Sequence, residues 1–299
     1  MQRNSSSDSI DVEAISPAIH TSVNYIGEQA GRPLFHTSDQ SRSRLVLDPH
    51  NVQVRDARSL TAPSLDREGF QLVPQPLPSL DYHDIAVRDG PYLVLLQELV
   101  RSALKADRVI SNTSVLRLPG SRANQVPVLL VHCDFTPKSA RRLLSECWDQ
   151  TLSADEGLAD TQKLIAQSVE SLSEADRRYR RVIAFNVWRP ISLPPHDVPL
   201  AVCRTGSQKD ADIQIADFIE EVEGCPPYQD ELSLCHYSPQ HEWFSFSDMI
   251  PDEVLLFIGY DYSNPGQCGA MHTAFRDPTC PPNAPGRASI EVRMFAFFE

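Results

Sequence analysis

The stretch RVIAFNVWRPI, residues 181–191, marks the point where the hydrophobic pattern of this 299-residue chain changes. Before it, apolar residues recur at helical spacing, as in PYLVLLQELVRSALKAD at 91–107. From it to the C-terminus, short strand-like runs alternate with turn residues such as Pro, Gly, Asn and Asp. Short strands at close intervals predict a sandwich or a barrel, with the preceding helices covering one face.

The rest of the chain is assigned around this change of pattern. Residues 1–50 are polar and without a sustained period, and we expect a loosely ordered N-terminal extension or a lid. Residues 60–85 carry four prolines, which predicts extended loop and edge structure. A strand is expected at 126–133, and further helices at 138–150 and 156–180.

Composition narrows the class of protein. Hydrophobic residues make up 41% and charged residues 22%, as in ordinary globular domains, and the net charge is −13. Without a block of Lys and Arg, the chain lacks the basic face that nucleic acids and anionic membranes attract. The sequence has no apolar run of the roughly 20 residues that span a bilayer, and its N-terminus lacks the apolar core of a signal peptide. We therefore expect a cytoplasmic protein.

The seven cysteines are odd in number and include no CxxC pair. This usage is typical of reduced thiols in an intracellular protein rather than of a disulfide framework. Cys225, Cys235 and His236 have a spacing that matches no common zinc module, so no structural zinc is predicted.

The segment VPVLLVHCDFTP, residues 126–137, ends an apolar run with two ionisable residues, His132 and Asp134. Side chains at i and i+2 of a strand point to the same side, so these two can present a nitrogen and an oxygen to one point. A buried imidazole or carboxylate is costly unless it is paired or holds a metal. The alternatives are a hydrogen-bonded core pair and two members of a 2-His-1-carboxylate triad, the donor set of non-haem Fe(II) oxygenases.

A third ligand would have to come from a late strand that returns beside this one. His272 stands in AMHTAFRDP, a short apolar run that ends in a turn. It is either the third ligand or a half-exposed strand histidine.

The last segment, GRASIEVRMFAFFE, has a clear period of two. Arg287, Ser289, Glu291 and Arg293 fall on one face, and a charged row of this kind makes sense facing a polar cavity. Arg287 and Ser289 together can grip a carboxylate through a planar fork and a hydroxyl. Arg293 is the alternative anchor, and an Arg287 with its head in solvent is the other possibility.

Together these segments resemble a known family. REGFQLV, LDYHD, FNVWRPI, PLAVC, SDMIPDEVLLF, HTAFRDP and RASIEVR are similar to the fungal hydroxylase/desaturase family of Fe(II)/2-oxoglutarate-dependent dioxygenases, over residues 60 to 299. That family includes gibberellin desaturase, aspergillic-type hydroxylases and a cephalosporin methoxylation component. Ile258 and Tyr262 depart from its usual lysine and small polar residue, which leaves the substrate open.

The resemblance implies a mainly β fold with flanking helices, a double-stranded β-helix (jelly roll, cupin-like) in one oxygenase domain, 51–299. It also implies Fe(II) held by His132, Asp134 and His272, with 2-oxoglutarate and O2 as cosubstrates. The expected reaction converts 2-oxoglutarate to succinate and CO2 while an unactivated C–H bond of a small metabolite is hydroxylated, desaturated or cyclised. The substrate expected in fungal secondary metabolism is an amino acid or a peptide-derived intermediate, acted on by a monomer or homodimer.

The substrate wall is expected in FNVWRP. Asn186 and Trp188 share a face of the predicted strand, so they can offer a hydrogen bond and a flat apolar wall to one pocket. Arg189 points the other way in an ideal strand, although Pro190 biases the local backbone. Alternatively, Trp188 is core and Arg189 pairs with an acid.

Two other functions compete with the dioxygenase. One is a jelly-roll protein that binds a small molecule without turning it over, and the other is a metal-dependent hydrolase or isomerase on a similar barrel. The complete set of three ligands and Arg287 argues against the first, and the second has no need of a carboxylate clamp. The sequence contains no G-x-S-x-G, P-loop or G-x-G-x-x-G motif.

Overall fold

Strands dominate the computed structural model, which describes residues 18–120, 126–152, 179–221 and 226–299. The larger of two sheets is built from strands rich in β-branched and aromatic residues. These are Ile19–Ile26 (β1), Leu34–His36 (β2), Leu47–Asp56 (β3), His132–Cys133 (β6), Leu200–Cys203 (β8), Ile213–Glu220 (β9), Tyr228–Cys235 (β10), Trp243–Ser245 (β11) and His272–Ala274 (β13). Their order is β1-β3-β11-β8-β13-β6-β10-β9-β2.

The smaller sheet has five strands. They are Phe70–Pro74 (β4), Arg108–Arg117 (β5), Arg181–Pro190 (β7), Glu253–Asp261 (β12) and Ser289–Phe298 (β14), in the order β4-β12-β7-β14-β5. All their pairings are antiparallel. The proline-rich stretch places β4 at the edge of this sheet, where a missing ladder donor is tolerated.

The two sheets face each other across the main hydrophobic core. Leu200 and Val202 of β8 belong to the same buried cluster as Trp188, Leu255 and Phe257 of the smaller sheet. Two curled, mainly antiparallel sheets packed in this way form the predicted jelly roll, so the expected fold class is confirmed.

Helices lie outside the sheets. The α-helices of the described residues are Ile85–Val87 (α1), Leu93–Leu104 (α2) and Pro137–Leu152 (α3), with a π-helical segment at Arg88–Tyr92. Short 3-10 helices lie at Gln40–Arg42, Ala57–Ser59, Thr205–Ser207 and Asp210–Asp212. α2 is amphipathic and buries Leu93, Leu96 and Val100. The helices expected near 91–107 and 138–150 are thus confirmed, whereas most of the one expected at 156–180 lies outside the described residues. None of the described helices has the length and apolarity that crossing a membrane requires.

The N-terminal segment differs from the expectation. β1 pairs with β3 along its whole length, from Ile19 opposite Val54 to Ile26 opposite Leu47, and Tyr25 between them is fully buried. The expectation of a loosely ordered extension is therefore wrong for residues 18–50, and the expected boundary at residue 50 falls inside β3. Residues 1–17 lie outside the described part of the chain. The polar outer face of the β1–β3 ladder hid its strand period.

Candidate active site

The two histidines of the predicted triad lie on neighbouring strands. His132 of β6 stands directly opposite His272 of β13, and Asp134 follows β6 with its side chain on the same side. Nε2 of His132 lies 4.0 Å from Oδ1 of Asp134, and Nε2 of His272 lies 3.8 Å from Oδ2. One donor atom from each residue lies within 4.8 Å of the other two, so the three can converge on one ion. Two imidazoles and one carboxylate form the facial donor set that suits Fe(II).

Hydrogen bonds fix both imidazoles for metal binding. Nδ1 of His132 donates to the carbonyl of Leu130 at 2.7 Å, and Nδ1 of His272 donates to that of Ala270 at 3.3 Å. A carbonyl only accepts, so each Nδ1 carries the proton and each Nε2 keeps a lone pair toward the centre. Burial, reinforced by His272, lowers the pKa of His132 to about 4. Burial also lowers the pKa of His272. Both rings are neutral near pH 7, as a ligand must be.

Asp134 is held from two sides. Nη2 of Arg293 donates to its Oδ1 at 2.6 Å, and Nδ2 of Asn186 donates to its Oδ2 at 2.6 Å. Burial alone would raise the pKa of Asp134, but Arg293 and the two histidines hold it well below the usual range. The carboxylate is therefore ionised and oriented before any ion binds.

Glu291 orients the amide of Asn186 so that its nitrogen also faces Asp134. Its Nδ2 also donates to Oε1 of Glu291 at 2.7 Å, and Oε2 of Glu291 lies 3.7 Å from Nε of Arg117. Two carboxylates can accept only from the amide nitrogen, which sets the flip of the side chain. Asn186, expected to bind substrate, contacts the metal ligand Asp134.

Arg287 and Ser289 lie on the inner face of β14 and its approach, and both are buried. Within the described part of the chain, Nε and Nη1 of Arg287 and Oγ of Ser289 have no hydrogen-bond partner. Burial, followed by repulsion from Arg117, lowers the pKa of Arg287 to about 9, and its guanidinium carbon lies 5.1 Å from the centroid of the Trp188 ring. Unpaired buried donors are costly, and a carboxylate ligand would satisfy them. These residues therefore fit the far carboxylate of 2-oxoglutarate.

Trp188 and Arg189 have opposite surroundings. Trp188 shares the inner face with Glu291, its partner across the β7–β14 ladder. Arg189 is fully buried on the other face, where Nη2 donates to the backbone and side-chain oxygens of Gln75 at 2.9 and 2.8 Å. The expected substrate-binding role of Arg189 is therefore not supported, because strand alternation turns its side chain away from the triad. Its Nη2 thus donates to amide oxygens and not to an acid.

A cavity of about 580 Å³ opens beside the triad. His132, Asp134 and Arg293 line its inner end. Its outer wall includes Phe35 and Leu45 from the N-terminal strands and their connection. The N-terminal segment that was expected to be an extension or a lid thus supplies part of the cavity wall.

Gln208 holds the backbone that precedes His272. Its Nε2 donates to the carbonyl of Gly269 at 2.9 Å, and its Oε1 accepts from the N–H of Met271 at 2.8 Å. Between these two contacts lies Ala270, whose carbonyl receives the Nδ1 proton of His272. No local pattern in the sequence indicates this role, because Gln208 lies 64 positions before His272.

Of the three residues considered for zinc, Cys225 lies outside the described residues. Among those that the structure describes, His132, Asp134 and His272 are the one group whose His, Cys, Asp and Glu side chains are arranged to hold a metal ion.

Comparison with known proteins agrees with this site. A family model described as "Oxidoreductase/YMDC permease-like domain" matches residues 23–297. The Fe(II)/2-oxoglutarate-dependent dioxygenase nvfI of Aspergillus novofumigatus is 30% identical over 268 residues, covering 86% of this chain and 87% of that protein. The hydroxylase/desaturase efuI of Hormonema carpetanum is 27% identical over 311 residues, covering 95% and 96%.

A solved structure agrees as well. A variant of the iron and alpha-ketoglutarate-dependent endoperoxidase NvfI superposes with a TM-score of 0.76 at 25% identity, covering 94% of this chain and 98% of that one. The protein is an oxidoreductase of fungal secondary metabolism that uses Fe(II), 2-oxoglutarate and O2, and the two competing functions are not favoured. By its matched family model, its relatives and its fold, the chain belongs to the Fe(II)/2-oxoglutarate-dependent dioxygenases that include the fungal hydroxylase/desaturases.

Proposed function

We propose that this enzyme oxidises a C–H bond of a small metabolite held in the 580 Å³ cavity, at an iron bound by His132, Asp134 and His272. Hydroxylation, desaturation and ring closure are the reactions within this proposal. When bound, Fe(II) and 2-oxoglutarate supply the oxidising chemistry, with succinate and CO2 as coproducts. The protein binds and orients the substrate and excludes water from the site.

Arg287 and Ser289 bind the far carboxylate of 2-oxoglutarate in this proposal. The support is that both are buried and that Nε and Nη1 of Arg287 and Oγ of Ser289 lack partners in the described residues. Arg293 is the weaker candidate because its Nη2 already pairs with Asp134 at 2.6 Å. Trp188 packs against the guanidinium and keeps it dehydrated, which strengthens its attraction for an anion.

The single observation that carries the proposal is that these two arrangements lie on the two facing sheets, the triad at β6 and β13 of the larger sheet and the Arg287–Ser289 pair at the start of β14 in the smaller sheet. Neutral imidazoles and an ionised Asp134 fit a divalent ion, and the unpaired Arg287 fits a dianionic cosubstrate. The test is an assay of succinate formation with Fe(II), 2-oxoglutarate and O2, with His272→Ala as the variant that removes a ligand. Wild-type protein that forms no succinate, or His272→Ala protein that forms as much as wild type, would contradict the proposal.

We also propose that the enzyme acts in the cytoplasm as a monomer or homodimer, without nucleic acid. The net charge of −13 supports a function away from polyanions. Light scattering measures the oligomeric state, and a mass above that of a dimer would contradict this part of the proposal. A mobility-shift assay tests for nucleic-acid binding, and microscopy of a tagged protein tests the compartment.

A further inference from the structure

The cavity beside the triad is larger and more apolar than the cosubstrate requires. Its 580 Å³ lies within the roughly 300–1,000 Å³ of pockets for drug-sized ligands. Aliphatic and aromatic side chains form most of its wall, among them Phe35, Phe218, Leu45 and Leu130. The groups that fit the far carboxylate of 2-oxoglutarate, on Arg287 and Ser289, are not part of this wall. The cavity is therefore available to the substrate.

Most charges around the cavity are already paired. Arg293 pairs with Asp134 at 2.6 Å, and Nη1 of Arg117 donates to the carbonyl of Val126 at 3.1 Å while its Nε lies 3.7 Å from Glu291. Because these charges are already paired, a substrate needs no charged group next to the metal ligands. The body of a substrate at this end of the cavity is thus selected by shape and apolarity.

Arg276 is the exception among the cations of the wall. Its backbone carbonyl accepts from Oγ1 of Thr21 at 2.8 Å, which ties this position to β1. Its exposed guanidinium makes no hydrogen bond or ion pair within the part of the chain that the structure describes, and Arg276 lines the cavity. It is four residues beyond His272, or about 13 Å along an extended chain.

The opposite end of the cavity carries the opposite charge. Glu220 also lines it and ends β9, where it stands opposite Tyr228. Along the segment 128–133, Glu220 lies beyond the Cys133 end, and Arg276 lies at the Val128 end. An anionic group is repelled at the end of Glu220 and attracted at the end of Arg276, so the two charges orient a ligand.

We propose that the substrate is a mainly apolar molecule, larger than a single amino acid, with a carboxylate that pairs with Arg276. Its apolar body lies against Phe35, Phe218 and Leu130 and brings a carbon remote from the acid to the metal centre. This inference rests on the proposed function, since it concerns the same cavity. It differs from the expected amino acid or peptide-derived intermediate in the mainly apolar body of the acid.

The test uses two probes of equal length, decanoate and decanamide, with butanoate as a short control. Binding is measured by calorimetry without O2 on enzyme saturated with Fe(II) and 2-oxoglutarate, so that the cosubstrate blocks Arg287. Wild-type enzyme is expected to bind decanoate about five- to tenfold more tightly than decanamide, the value of a charge-assisted pair at a partly exposed site. Decanoate should also exceed butanoate by about fourfold for each additional CH2 group that is buried.

Arg276→Gln should reduce the affinity for decanoate to that for decanamide and leave the amide affinity unchanged, and Arg276→Lys should retain part of the preference. Arg101→Gln is the matched control, because Arg101 lies on the outer helix α2 and pairs with Glu98. Equal binding of the two probes by wild type, or a preference that survives Arg276→Gln, would overturn the inference. Failure of both ten-carbon probes to bind would contradict the apolar cavity.

The absorption of the Fe(II)–2-oxoglutarate chelate separates the two claims. If wild-type protein lacks the band, the proposed function fails. If the band is present while the probes show no dependence on Arg276, only the substrate inference fails.

Discussion

Nη2 of Arg293 lies 2.6 Å from Oδ1 of Asp134. The last arginine of the charged row on β14 therefore pairs with the carboxylate metal ligand. Arg287, at the other end of that row, pairs with no acid at this distance and packs over Trp188. The two arginines, which the sequence left as alternative anchors, therefore have different surroundings. This difference makes their roles separable by experiment.

Arg287→Lys keeps the positive charge but loses the planar fork. We expect the apparent affinity for 2-oxoglutarate to weaken about ten- to a hundredfold, because a charge-assisted pair contributes roughly 1.5–3 kcal/mol. The dependence of succinate formation on 2-oxoglutarate concentration measures it. Arg293→Lys is the matched variant, and we expect it to weaken iron binding more than cosubstrate binding. The reverse pattern would show that the anchor has been assigned to the wrong arginine.

Asp134→Asn should remove iron while it preserves the shape of the side chain. Asp134→Ala should in addition lower the free energy of unfolding by about 1–3 kcal/mol, because it leaves the half-buried guanidinium of Arg293 without its partner. Metal analysis and urea denaturation measure the two effects. Asp48→Asn is the control, since Asp48 is exposed and pairs with His50 at the surface. Full iron content in Asp134→Asn protein would exclude Asp134 as a ligand.

Gln208→Ala should accelerate the loss of iron although Gln208 touches no ligand directly. Without its two hydrogen bonds, the backbone at 269–271 no longer fixes Ala270, the acceptor for His272. Loss of outer contacts of this kind weakens metal affinity by about 10- to 100-fold. Transfer of iron to a chelator measures the rate, with exposed Gln240→Ala as the control. Equal rates for the two variants would make Gln208 a surface residue without influence on the centre.

The metal-free protein should lose stability as the pH falls from about 6.5 to about 4. In the folded chain, burial and His272 hold the pKa of His132 at about 4, below the ordinary value of 6.5 that applies after unfolding. In this interval the unfolded chain binds a proton that the folded chain refuses, so acid favours unfolding, and the effect of this group levels off below pH 4. The full contribution is about 3 kcal/mol.

Urea denaturation of chelator-treated protein at several pH values tests this expectation. His132→Gln protein lacks the group and should show a shallower pH dependence than wild type. His272 adds to the slope in both proteins, because burial lowers its pKa as well. Identical slopes for wild type and His132→Gln would contradict the assignment of a neutral, buried His132.

Local spacing predicted the parts of the site that lie within one strand or just beyond its end. Alternation placed His132 with Asp134, and Arg287 with Ser289 and Arg293, because a period of two is a property of the backbone. The same rule would have turned Arg189 away from the cavity, had Pro190 not been given weight.

Contacts across long separations left no such signal. Asn186 reaches Asp134 over 52 positions, and Gln208 reaches Met271 over 63, so only the folded sheets bring them together. β1 was missed for a related reason. Its exposed side chains include His20 and Ser22, and polar residues of this kind mask strand alternation unless the partner strand is known.

The central claim is that His132, Asp134 and His272 bind Fe(II) and that Arg287 positions 2-oxoglutarate on it. Anaerobic titration of the protein with Fe(II) and 2-oxoglutarate tests it most directly, through the weak visible absorption of the chelate. We predict a saturable band for wild type, no band for His272→Ala, and a band for Arg287→Lys that requires about ten- to a hundredfold more 2-oxoglutarate. A wild-type protein without the band, or a His272→Ala protein that retains it, would contradict the account.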